Sequence, residues 1–84
     1  MPNVTVRVLA FAGVRELLGG PQRTLDLAEG ARVRDAWSAL TVQVPELAAL
    51  AGSTRIARNG RVGSPDDLLA DGDELALLPP VGGG

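Results

Sequence analysis

Val4-Thr5-Val6-Arg7-Val8-Leu9-Ala10-Phe11 runs into Ala12-Gly13-Val14-Arg15-Glu16-Leu17-Leu18 and then meets Gly19-Gly20-Pro21, so the hydrophobic period changes in mid-course. The first eight residues alternate with a period of two, as a strand does. Val4, Val6, Val8 and Ala10 form its core face. The other face, Thr5, Arg7, Leu9 and Phe11, starts polar and ends apolar on the side that should be wet. From Ala12 the spacing is helical, with Val14, Leu17 and Leu18 on one side and Arg15 and Glu16 on the other. Glycine followed by proline then stops the helix.

Working outward, residues 22–27 alternate around Leu25 and Leu27 as a second strand, so strand, helical link and strand should form a hairpin-like pair. Val33, Ala36, Trp37 and Leu40 fall at i, i+3, i+4 and i+7, which predicts the main helix over 33–42 with Trp37 and Leu40 in the core. Pro45 interrupts it, and 46–50 reads as a short extra turn. Residues 54–58 and 61–62 flank Asn59-Gly60, the dipeptide that most favours a type I′ hairpin. Ser64-Pro65-Asp66-Asp67 reads as a turn with a weak helix start, Asp71-Gly72 as a turn, and 74–78 as the last strand, with Leu75 and Leu77 facing inward. This order predicts an α+β fold, a mixed sheet of four to five strands packed on one main helix, because one amphipathic helix covers one face of a small sheet. The domain should span residues 1–78, with 79–84 as a flexible tail.

Composition narrows the function. A chain of 84 residues buries only roughly 60 to 65% of its unfolded surface, which leaves little room for an enclosed substrate cleft. The sequence has no Cys, His, Lys or Tyr, so most nucleophiles, metal ligands and neutral-pH acid/base groups are missing. Net charge is −2, from ten acidic residues against eight arginines, with no basic stripe that would neutralise phosphates; nucleic acid is not an expected partner. No apolar run approaches the ~20 residues that span a bilayer. Met1-Pro2-Asn3 lacks the charged start of a signal peptide, so the expectation is a cytoplasmic protein with no membrane partner. Asp66, Asp67, Asp71, Asp73 and Glu74 lack calcium-loop spacing and read as solvated turn formers, and no metal or bound cofactor is expected.

What remains is the end, Pro79-Pro80-Val81-Gly82-Gly83-Gly84. The last strand fixes its point of departure, and two prolines hold φ near −65° and stiffen the exit. Three glycines then give a chain thin enough for a narrow channel. The carboxylate of Gly84, with an ordinary pKa of ~3.5, is ionised at neutral pH and is a poor electrophile until something activates it. An adenylating partner could convert it to an acyl-AMP for attack by sulfur or nitrogen. The chain has no phosphate-binding loop of its own, so it would be the substrate or carrier in that chemistry.

Phe11-Ala12-Gly13-Val14-Arg15-Glu16-Leu17 after an apolar strand, Asn59-Gly60, and Asp71-Gly72-Asp73-Glu74 leading to the terminal Pro-Pro-Val-Gly-Gly-Gly together resemble the small, sulfur-carrier subunit family of molybdopterin synthase. The resemblance covers essentially the whole chain, with 28–53 matching in pattern only. It implies a β-grasp, ubiquitin-like fold. It also implies that an ATP-using, ubiquitin-activating-type enzyme adenylates Gly84, that a sulfur donor converts it to a thiocarboxylate, and that Gly83 lets the tail thread into the large synthase subunit of a heterotetramer. Catalytic residues would lie on that large subunit, so this chain is a carrier. A thiamine-pathway sulfur carrier and a ubiquitin-like protein modifier are the alternatives.

The same resemblance places partner contacts at Phe11, Val62 and Leu78, and along Pro79, Pro80, Val81 and Gly82. Strand alternation points Phe11 and Leu78 outward. Single exposed apolar residues are ordinary, whereas a cluster beside the tail marks an interaction site. Arg15 and Glu16 are read as the polar side of an exposed helical turn.

Overall fold

The computed structural model describes residues 3–79. Its elements are β1 (Asn3–Ala10), α1 (Ala12–Leu18), β2 (Gln22–Ala28), α2 (Val33–Gln43), a 3-10 helix (Pro45–Leu50), β3 (Arg55–Arg58), β4 (Arg61–Val62) and β5 (Glu74–Leu78). All five strands join one sheet in the order β2-β1-β5-β3-β4. Only β1 and β5 run parallel; β1–β2, β5–β3 and β3–β4 are antiparallel. A mixed five-stranded sheet crossed on one face by a single main helix is the β-grasp, ubiquitin-like arrangement.

Alternation in β1 buries Val4, Val6, Val8 and Ala10, and in β5 it buries Leu75 and Leu77. Val6 pairs with Leu25 and Val8 with Leu75, so these side chains share the face that α2 covers. The helix answers with Val33, Ala36 and Leu40. Its first turn is fixed by the Asp35 carboxylate, which accepts the Arg32 amide at 2.7 Å, one half of a capping box. Pro45 ends α2 and starts the 3-10 helix, because proline has no amide to continue the ladder.

Four sequence expectations change. Trp37 is only half-buried: it packs against the core cluster from the flank of α2 while Ala36 and Leu40 sit beneath the helix. Leu17 lies exposed, whereas Val14 and Leu18 carry the buried side of α1. The acidic segment is not uniformly solvated, since Asp73 is 7% exposed and accepts hydrogen bonds from the Ala70 amide and the Asn59 carboxamide. Residues 64–67 form a turn without a helix. The short turn expected over 46–50 contributes Leu47, which is fully buried.

Candidate functional site

Directly opposite residues on neighbouring strands share one side of a sheet. On the side away from α2, Leu9 stands opposite Ala76, Ala76 opposite Ala57, and Ala57 opposite Val62. One strand step further along, Leu78 stands opposite Arg55. Phe11 follows β1 with extended backbone, φ −132° and ψ 155°. It therefore continues the alternation of Thr5, Arg7 and Leu9 and comes level with Leu78. The result is a contiguous apolar surface built from β1, β5, β3 and β4.

The opposite end of the same face is polar. Arg7 donates to Glu74 at 2.9 Å and the Thr5 hydroxyl to Asp26 at 2.8 Å. An exposed ion pair such as Arg7–Glu74 contributes about 0–1 kcal/mol, so it marks a wet rim more than it holds the fold. The apolar end is thus a bounded patch. It sits where β5 ends and the chain passes through Pro79 toward its terminus.

Phe11 is 44% exposed and Val62 55% exposed, while Leu78 and Pro79 are half-buried. Strand register brings Phe11, Val62 and Leu78 onto one face. Pro80, Val81, Gly82, Gly83 and Gly84 lie outside the described residues. Sequence reading missed Ala57, Ala76 and Arg55 as members of the same surface, because their membership depends on which strands pair and in what register. Ala57 is nearly covered despite facing outward, since a methyl group lies low between larger neighbours.

The edge of the patch is held by a small polar knot. Burial alone would raise the pKa of Asp73, but hydrogen bonds from the Ala70 amide, the Asn59 carboxamide and the Arg58 guanidinium outweigh it and hold the carboxyl below its ordinary value. Asn59 in turn accepts the Glu74 amide through its side chain and donates its own amide to the Glu74 carbonyl. The β3–β4 hairpin is thereby tied to the start of β5, and this fixes Val62 relative to Leu78. Arg15 and Glu16 lie on the exposed side of α1, as a solvated helical turn requires.

Residues 8–84 match the model of a family described as the ThiS family. The chain belongs to that family. It is 32% identical over 82 residues to a molybdopterin synthase sulfur carrier subunit of Arabidopsis thaliana, covering 98% of this chain and 85% of the relative. A protein of the same name from Chlamydomonas reinhardtii is 35% identical over 81 residues, covering 94% and 98%. Among solved structures, small archaeal modifier protein 1 of Haloferax volcanii superimposes with a TM-score of 0.86 at 32% identity, covering 95% of this chain and 99% of that one. The family resemblance read from Phe11–Leu17 and the terminal glycines therefore holds.

Proposed function

We propose that this ThiS-family protein is the sulfur-carrier subunit of a molybdopterin synthase. An ATP-using enzyme of the ubiquitin-activating type adenylates the Gly84 carboxylate and releases pyrophosphate. Sulfide from a donor then displaces AMP, leaving a thiocarboxylate. The tail, kept thin by Gly82 and Gly83, enters the large subunit and passes its sulfur to the pterin precursor, and the carboxylate is regenerated. ATP serves the activating enzyme, and this chain binds no cofactor itself. We place the cycle in the cytoplasm and the assembly as two small and two large subunits.

The observation that carries this reading is the position of the apolar patch. Phe11, Leu78 and Val62 lie on the open face of the sheet at the end where the chain leaves through Pro79. A partner that covers the patch receives the tail directly. Among the described residues, no helix is long and apolar enough to cross a membrane.

The test incubates the protein with ATP, its cognate adenylating enzyme and a sulfur donor. Pyrophosphate exchange should appear, and the mass of the protein should rise by the difference between sulfur and oxygen. A chain lacking Gly83 and Gly84 should show neither. If that truncated chain still supports molybdopterin synthesis with the large subunit, the carrier reading is wrong.

A second reading has its own support, since small archaeal modifier protein 1 of Haloferax volcanii is as similar in sequence as the carrier subunits. Both roles begin with an acyl-adenylate and diverge afterward. A modifier ends as an amide on a target lysine, so mass spectrometry of trypsin-digested cell extracts for lysines carrying residues 62–84, the piece left by cleavage after Arg61, separates the two.

A further inference from the structure

A groove of about 350 Å³ opens between the first turns of α2 and the start of β3, on the side of β3 away from β5. Val33, Trp37 and Ile56 line it, and residues 62–65 close one end. The volume lies at the low end of the about 300–1,000 Å³ typical of ligand pockets. One large side chain fits, whereas a folded element does not.

The groove borders an open strand edge. Asn59 donates its amide to the Glu74 carbonyl at 2.8 Å, so residues 59, 57 and 55 direct their backbone groups toward β5. Residues 58 and 56 direct theirs to the other side. There Arg58 meets Arg61, but the pairing ends at Ala57–Val62. Beyond Val62 the chain is pulled away toward α2: the Ser64 amide donates to the Asp67 carboxylate, the Val33 amide to the Asp67 carbonyl, and the Arg34 amide to the Pro65 carbonyl. Gly63 packs so closely on the Asp67 carboxylate that a Cβ there would collide with it. The Ala57–Val62 pairing sets the Gly63 amide against the Ile56 carbonyl, so it is the Ile56 N–H that faces the groove without a partner among the described residues, one donor open to an extended chain.

Charge identifies the occupant. Arg34 and Arg55 are the only charged residues of the lining. Arg34 is already paired with Asp66, while Arg55 is exposed and forms no ion pair with any described residue. The groove is also continuous with the outer face, because Val62 and Arg55 belong to both.

We propose that this groove docks an extended acidic segment of a partner protein. One large apolar side chain of that segment lies against Trp37 and Ile56, a carbonyl of its main chain accepts from the Ile56 N–H, and a carboxylate meets Arg55. The inference is separate from the chemistry of Gly84 and stands or falls without it.

Trp37 is the sole tryptophan and the chain has no tyrosine, so its emission reports on the groove directly. The probe is the peptide acetyl-Glu-Glu-Ile-Phe-Ile-Glu-Glu-amide, titrated into the full chain, with lysine replacing every glutamate in the control. The expected result is a saturable change in Trp37 emission, with NMR shifts centred on the Ile56 amide and the Trp37 indole. Arg55→Glu should weaken binding roughly tenfold or more, and Arg55→Gln by less, with both spectra remaining those of the folded domain. Four outcomes overturn the proposal: no binding, equal binding of the lysine peptide, shifts along the other open edge at Gln22–Ala28 in place of Ile56, or binding that appears only after the chain is cut behind Pro79. The last would assign the groove to the chain's own tail.

Discussion

Asp73 is the one charged side chain buried among the described residues, and its surroundings set a pH dependence with a definite sign. Its folded pKa lies below the ordinary 3.8. The carboxylate therefore adds stability in full above that value and loses it as the pH falls through 3.8 toward the lower folded value. Urea titrations from pH 6 downward should show this decline, and Asp73→Asn should flatten part of it. Asp73→Ala should cost about 1–3 kcal/mol at neutral pH, because the Ala70 amide and the Asn59 carboxamide lose their acceptor. Asp73 was illegible in the sequence, since an aspartate in an acidic turn carries no mark of burial until its donors assemble around it. Trp37 was misjudged for a related reason. Helical spacing fixes a stripe but not its width, and Val33, Ala36 and Leu40 occupy the centre. Trp37→Ala should thus cost about 2 kcal/mol, below the 3–5 kcal/mol of a fully buried aromatic, and less than the about 3 kcal/mol of Leu40→Ala. Chemical denaturation of both variants checks the order.

At the scale of elements, local chemistry was legible wherever it acts alone. Asn59-Gly60 forms the predicted turn with φ +50° and +86°, the signature of type I′. Gly60→Ala should destabilise the domain by about 1 kcal/mol through the left-handed penalty on a Cβ, read as a shift of the denaturation midpoint. The alternation of β1 and β5 and the stop of α1 at Gly19-Gly20-Pro21 were equally plain. Helix α1 is a partial exception. The sequence put Leu17 beside Val14 and Leu18, but seven residues make only two turns, and the sheet can cover no more than the Val14–Leu18 line. The 3-10 helix shows the same limit from the other side. Its residues 45–50 have no readable period, yet Leu47 reaches the core because Pro45 reverses the chain and lays the turn against α2.

The whole molecule separates holding a partner from reacting with it. The patch draws one or two residues from each of β1, β5, β3 and β4, whereas the reacting group proposed for this chain is a single carboxylate at the end of the tail. Phe11 and Leu78 were legible as outward-facing because alternation is local. Their union with Val62, Ala57 and Ala76 was not, because it requires the crossover that sets β5 between β1 and β3. Kinetics should divide along the same line. Phe11→Ser or Leu78→Ser removes apolar contact area while the core beneath, Ala10 and Leu77, is unchanged, so the melting temperature should move little. With the adenylating enzyme, KM for the carrier should rise about tenfold or more with kcat nearly unchanged, since the lost contacts are the same in the ground and transition states. A bulky residue at Gly83 should do the reverse, lowering kcat while binding to the large subunit persists, because it obstructs the reacting end and leaves the patch intact. If the patch variants lower kcat at unchanged KM, or unfold the domain while affinity per folded molecule stays constant, these side chains serve the fold and the open face is not the docking surface.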